Sequence, residues 1–153
     1  MNRIWRILVV GLSLAPAVSA ADTGFKVEFV GGTLAGVKAK SSAHLDLAGS
    51  DAMLFRCGAQ TLSVAYAKVD TLEYGQHVSR RYAAAVFLSP VLLLSKSRQH
   101  YVTIGFMDAE GKHQALVFEF GKGDIRSALA SLEARTGKRV EFQDDEARKA
   151  GQE

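Results

Sequence analysis

The chain has one cysteine, two prolines and one tryptophan among 153 residues. A single thiol cannot close a disulfide within its own chain, so no disulfide framework holds this fold. Cys57 ends the apolar run Met53-Leu54-Phe55 and reads as a buried structural thiol, with an intermolecular bridge as the alternative. Stability must then come from a hydrophobic core, and a mature length of roughly 130 residues suits one domain. The four histidines, His44, His77, His100 and His113, form no His-x-x-x-His or His-x-His pair, the spacings that set two ligands on one face of a helix or strand. They read as surface residues, although His77 and His100 bracket an apolar stretch and would meet if its ends do. There is no Gly-x-Ser-x-Gly elbow to present a serine nucleophile. Gly31-Gly32-Thr33-Leu34-Ala35-Gly36 lacks the Gly-Lys-Ser/Thr of a phosphate loop, and its glycines read as turns. The expectation is a chain without catalytic residues, metal or cofactor, and not an enzyme.

What is present begins at the N-terminus. Arg3 and Arg6 open the chain without any acid, an apolar stretch runs from Ile7 to Ala17 with Pro16 near its end, and Val18-Ser19-Ala20 follows. A charged start, a short apolar middle and a small-x-small exit are the three parts of a secretory signal, here 1–20. The apolar middle is shorter than the about 20 residues a membrane span needs. No cysteine follows Ala20, so a lipid anchor at a new N-terminus is not expected. The sequence therefore predicts an exported protein of the periplasm or cell envelope.

Export alters the charge. The chain has 19 Lys and Arg against 16 Asp and Glu, and removing Arg3 and Arg6 takes the net charge from +3 to +1. Nucleic-acid binding asks for a clustered basic face, so no nucleic-acid partner is expected.

Along the mature chain, period-two alternation marks strands with one buried face. It appears in Phe25-Lys26-Val27-Glu28-Phe29, in His44-Leu45-Asp46-Leu47, and in Leu62, Val64 and Tyr66 set against Thr61, Ser63 and Ala65. Met53 to Arg56 and Val69 to Tyr74 add two more strands. The clearest pair places Val102, Ile104 and Phe106 opposite Leu116, Phe118 and Phe120, joined by the polar turn Asp108-Ala109-Glu110-Gly111-Lys112. One helix follows over 124–136. Asp124 is its expected N-cap, Ile125, Ala128, Leu129 and Leu132 are its apolar stripe, and Gly137 is its left-handed stop. Arg139-Val140-Glu141-Phe142 alternates once more. Residues 143–153, with the carboxylates Asp144, Asp145 and Glu146, read as a polar flexible tail. The domain thus spans 24–142 and is mainly β with one C-terminal helix.

This order resembles pleckstrin-homology-like domains, in which a bent antiparallel β-sandwich or partly open barrel is capped by a C-terminal helix. The stretch 62–74, Leu-Ser-Val-Ala-Tyr-Ala-Lys-Val-Asp-Thr-Leu-Glu-Tyr, looks like the strand, kink, strand unit of bacterial members. The helix lacks the tryptophan typical of eukaryotic members, and Lys26 with Lys38-Ala39-Lys40 matches the family's basic phosphoinositide loop only loosely. Inositol-phosphate binding is not carried over. The resemblance implies a binding or scaffold module.

One segment does not fit an ordinary domain. From Tyr82 to Leu94 the chain is apolar except for Ser89-Pro90, with Arg80 and Arg81 before it and Lys96 and Arg98 after it. No acid lies between Glu73 and Asp108. As a helix the run would be about 20 Å long, short of the ~30 Å hydrocarbon core, and Pro90 would kink it. Two readings stand. The segment packs on the sheet as buried strands or a helical hairpin, or it protrudes into a membrane surface or an apolar envelope protein. In the second reading the contact residues are Phe87, Leu88, Val91, Leu92, Leu93 and Leu94, flanked by the four cations. Its premise is that the domain fills a core without this segment. A structural subunit that uses the segment for homo-oligomer assembly is the alternative role.

Overall fold

The computed structural model describes residues 24–33, 36–77 and 99–152. Among these, eight strands form one sheet: β1 (Phe25–Gly32), β2 (Ser41–Asp46), β3 (Ala52–Cys57), β4 (Gln60–Ala65), β5 (Val69–Gly75), β6 (His100–Met107), β7 (His113–Phe120) and β8 (Glu141–Phe142). The order across the sheet is β4-β3-β2-β1-β7-β6-β5-β8. Every pairing is antiparallel except β5 with β8, which run parallel. The sheet is open, and with its C-terminal helices it forms a partly open β-sandwich of the mainly β class expected from sequence.

The inner face follows the alternation. Phe29, Phe118, Val102, Tyr74 and Phe142 lie in one row across β1, β7, β6, β5 and β8. Phe29, Phe55 and Phe118 meet at ring-centroid distances of 5.3 to 6.1 Å, within range for favourable aromatic pairing. A 3-10 turn, Tyr66–Lys68, links β4 to β5 and buries Tyr66, whose hydroxyl donates to Leu47 O at 3.2 Å. Helix α1 (Ile125–Thr136) closes the inner face with Ile125, Ala128, Leu129 and Leu132, the stripe read from the sequence. Gly137 ends it at φ 68°, a left-handed conformation suited to glycine. Cys57 is buried, and its Sγ lies 3.7 Å from Ser42 O.

Three local expectations are corrected. Asp124 stands at the N-cap but makes no side-chain capping bond, because a turn closed by Asp124 N donating to Gly121 O has already brought it to helical dihedrals. Gly31 and Gly32 are not turns but the end of β1, after a bulge that shifts the register between Phe29 and Gly31. A Cβ on Gly32 would lie 2.7 Å from Ala115 O, so the close strand approach requires glycine. Finally, the polar tail contains a second helix, α2 (Asp145–Gln152). Asp144 Oδ1 accepts from Ala147 N at 2.6 Å, and Asp145 and Glu146 sit at the positive end of the helix dipole. The carboxylate run is a helix start. Ala147 and Gly151 bury against β5 and β8, where a Cβ on Gly151 would come within 3.0 Å of Phe142 Cε1 and 3.2 Å of Tyr74 Cε1.

Candidate functional site at the root of the β5–β6 hairpin

The apolar segment of the sequence is the loop of one hairpin. β5 ends at Gly75, which pairs with Tyr101 of β6. One step further out, Gln99 N donates to Gln76 O at 3.4 Å. The two ends of the 21-residue segment 78–98 therefore meet at one point of the sheet. The expected contact residues Arg80, Arg81, Phe87, Leu88, Val91, Leu92, Leu93, Leu94, Lys96 and Arg98 all lie outside the described residues. What the structure supplies is the frame that holds their two ends.

That frame is cross-braced. Gln143, just after β8, donates its backbone N–H to Tyr74 O at 3.1 Å, and its side-chain amide to Glu73 Oε1 and to His77 O, each at 3.0 Å. Glycine at position 75 leaves room for this brace, since a Cβ there would overlap the Gln143 amide. On the inner face His100 Nδ1 and Tyr74 Oη share a hydrogen bond of 2.6 Å, with the rings stacked at 6.0 Å. Partial burial and, secondarily, the nearby Lys122 hold the His100 ring below the ordinary histidine range. His77 and His100 thus flank one point of the fold, but each is committed to a different partner: His77 by its carbonyl to Gln143, His100 by its ring to Tyr74.

The outer face beside this root is unusual. Ser42, Glu28, Glu119, Tyr101 and Gly75 lie in register across β2, β1, β7, β6 and β5. Burial, the adjacent Glu119 charge and a hydrogen bond to it push Tyr101 up to about 12. Burial, with the facing Glu28 charge, likewise raises Glu119. The next row holds Gly31, Val117, Thr103 and Glu73, and the one after it Ala115, Gly105 and Thr71. On a one-sided sheet these outward residues would face water. Instead Tyr101 is 4% exposed, Thr103 3%, Ala115 1%, and Val117 and Val30 0%. Val30, Tyr101, Ala115 and Val117 all stand apart from the inner core cluster. The sheet is buried on both faces here.

Two open grooves flank this region. One, of roughly 530 Å3, lies at the sheet end between Lys26, Glu28, His100, Glu119 and Lys122. The other, of roughly 580 Å3, lies between α1, β8 and α2, with Arg126, Arg139 and Arg148 around a floor of Leu129, Val140 and Phe142. Among the described residues no group of three or more His, Cys, Asp or Glu side chains could hold a metal ion, and no described helix is long and apolar enough to cross a membrane.

Sequence reasoning missed the Glu28–Glu119–Tyr101 row and the Gln143 brace. The alternation placed Glu28 and Glu119 on outward positions, but only the pairing of β1 with β7 brings these two residues, 91 positions apart, together. Compared with known proteins, the chain matches no family model and no curated protein.

Proposed function

We propose that the chain is a non-catalytic binding module of the cell envelope that works at a membrane surface or an apolar envelope protein through its 80–98 segment. The observation that carries this reading is the mounting of that segment. An apolar run flanked by Arg80, Arg81, Lys96 and Arg98 is inserted at one braced point of a β-sandwich, between Gln76 and Gln99. A run that is apolar all round cannot satisfy every side against one sheet, so part of it seeks lipid or protein. Cations beside an apolar insertion contribute ~1 kcal/mol each near an anionic surface. The strand order and C-terminal helices also support the resemblance to pleckstrin-homology-like modules, and the three-part N-terminal signature supports export to the periplasm or envelope.

The test is sedimentation of residues 21–153 with vesicles containing anionic lipid. The wild type pellets at low salt, and Leu92→Asp or Leu93→Asp stays in the supernatant while keeping its β-type circular dichroism. A wild type that remains in the supernatant at low salt rules out the membrane reading. A detergent-independent multimer that ignores vesicles favours homo-oligomer assembly instead.

A further inference from the structure

We propose that the groove between α1, β8 and α2 is a docking site for an extended acidic peptide segment of another protein. This goes beyond the reading of 80–98 and does not depend on it. Among the described residues the groove is lined by three cations, Arg126, Arg139 and Arg148, against one acid, Glu133. That acid is already committed, because Glu133 Oε1 accepts from Val140 N at 2.8 Å. All three arginines are exposed. They come from three places in the chain: the first turn of α1, the link into β8, and α2. Gly137 turns the link back, and the Val140–Glu133 bond ties it against α1, which sets Arg139 at the groove. Arg139 has no ion-pair partner among the described residues. Arg148 lies over the Phe142 ring, 5.9 Å from its centroid. A cation–π contact restrains a guanidinium without using up a carboxylate, so its fork of N–H groups remains for one.

The shape of the groove selects the partner. Arg126, Leu129, Ala130 and Glu133 fall at i, i+3, i+4 and i+7, one stripe of α1 about 10 Å long at 1.5 Å per residue. Arg148, Gly151 and Gln152 repeat the i, i+3, i+4 spacing on α2. Between these two stripes the floor is Val140 and Phe142. An extended peptide fits this layout, with apolar side chains toward the floor and carboxylates toward the cations. Alternate residues of a strand share one face about 7 Å apart, so two carboxylates fall within the length of the groove. Arginine clusters recognise acidic motifs in this way. A membrane surface is flat and does not follow a recess between two helices. Single-stranded nucleic acid asks for a row of stacking aromatics, and Phe142 is the one aromatic among the described lining residues.

The probe is a fluorescein-labelled, amidated nonapeptide of alternating aspartate and leucine, with an asparagine–leucine peptide as its uncharged counterpart. Residues 21–153 are titrated into each at low salt, and binding is read by fluorescence anisotropy. The acidic peptide is expected to bind saturably, more tightly than the uncharged one, and to weaken as salt is added. Arg139→Gln and Arg148→Gln are each expected to weaken it about 10-fold, the loss of one charge-assisted contact. Arg148→Lys keeps the charge but not the fork, and is expected to lose affinity too. Lys149→Gln, on α2 but outside the groove, is expected to bind as wild type does. The proposal is overturned if the acidic peptide does not bind, if the two peptides bind alike, or if the arginine variants keep wild-type affinity. Thermal melts report folding, and should Arg148→Gln fail to fold, Arg139→Gln and Arg148→Lys decide. An oligothymidine or anionic vesicles are added as competitors. If either binds more tightly than the peptide and loses that binding in Arg139→Gln, the groove belongs to nucleic acid or to lipid, and the peptide proposal falls.

Discussion

The side-chain amide of Gln143 donates to Glu73 Oε1 at 3.0 Å, tying the residue after the last strand to the middle of β5. The same amide reaches His77 O, so one side chain braces the point where the apolar segment leaves the sheet. Gly75 is the residue that makes room for it.

This brace predicts non-additive substitutions. Gly75→Ala places a methyl group where the Gln143 amide sits, and the flexible side chain swings away, losing two hydrogen bonds worth about 1 kcal/mol each. Gln143→Ala loses the same two bonds. Each single variant is expected to lower the thermal midpoint by about 4 to 8 °C at this domain size. The double variant should lie close to either single one, because both remove one network. Full additivity in a thermal or urea melt would show that Gly75 does not act through Gln143.

The outer row predicts a carboxylate that costs stability at neutral pH. Glu119 is held above its usual range by burial and the facing Glu28, so the folded state keeps its proton longer than the unfolded chain does. The contribution is favourable below about pH 4.5 and is lost as pH rises through the folded value. Glu119→Gln, which retains an acceptor for Tyr101, is expected to be more stable than wild type at pH 7, and the gain should vanish near pH 4. Tyr101 gives an independent reading. Its folded value of about 12 means that tyrosinate absorbance includes a late step, absent in Tyr101→Phe, and that its contribution to stability falls as pH rises above 10.

His100 predicts an effect in mild acid. Its ring is held below 6.5 in the fold, so between that lower value and 6.5 the unfolded chain binds more protons. Stability is therefore complete above pH 6.5 and declines as pH falls below it. His100→Gln should flatten this slope in urea melts collected between pH 7.5 and 5. An unchanged slope would assign the acid sensitivity elsewhere.

The sequence carried most of the architecture because the inner face obeys period two. Val102, Ile104 and Phe106 alternate against Leu116, Phe118 and Phe120, and the helix stripe from Ile125 to Leu132 is regular, so these elements could be read directly. The C-terminal helix could not. Asp144, Asp145 and Glu146 look like a solvated charge run, and only burial of Ala147 and Gly151 against Tyr74 and Phe142 turns a polar octapeptide into a docked helix. The outer face escaped for a related reason. Thr103, Gly105 and Ala115 are small or weakly apolar and carry no period-two signal of their own, yet they are buried, Gly105 beside Asp70, Thr71 and His113. For the candidate site, the sequence located the segment and its cations, and the fold added the point of attachment.

The central claim concerns where the side chains of 82–94 go, and tryptophan reports this directly, since Trp5 is the sole tryptophan and lies within the expected signal. Residues 21–153 carrying Phe87→Trp, Leu88→Trp, Val91→Trp or Leu92→Trp would each be examined by fluorescence with and without anionic vesicles. At least one position is expected to shift to shorter wavelength on adding vesicles and to return in high salt. Emission that is unchanged at all four positions, with the protein folded, would contradict the account.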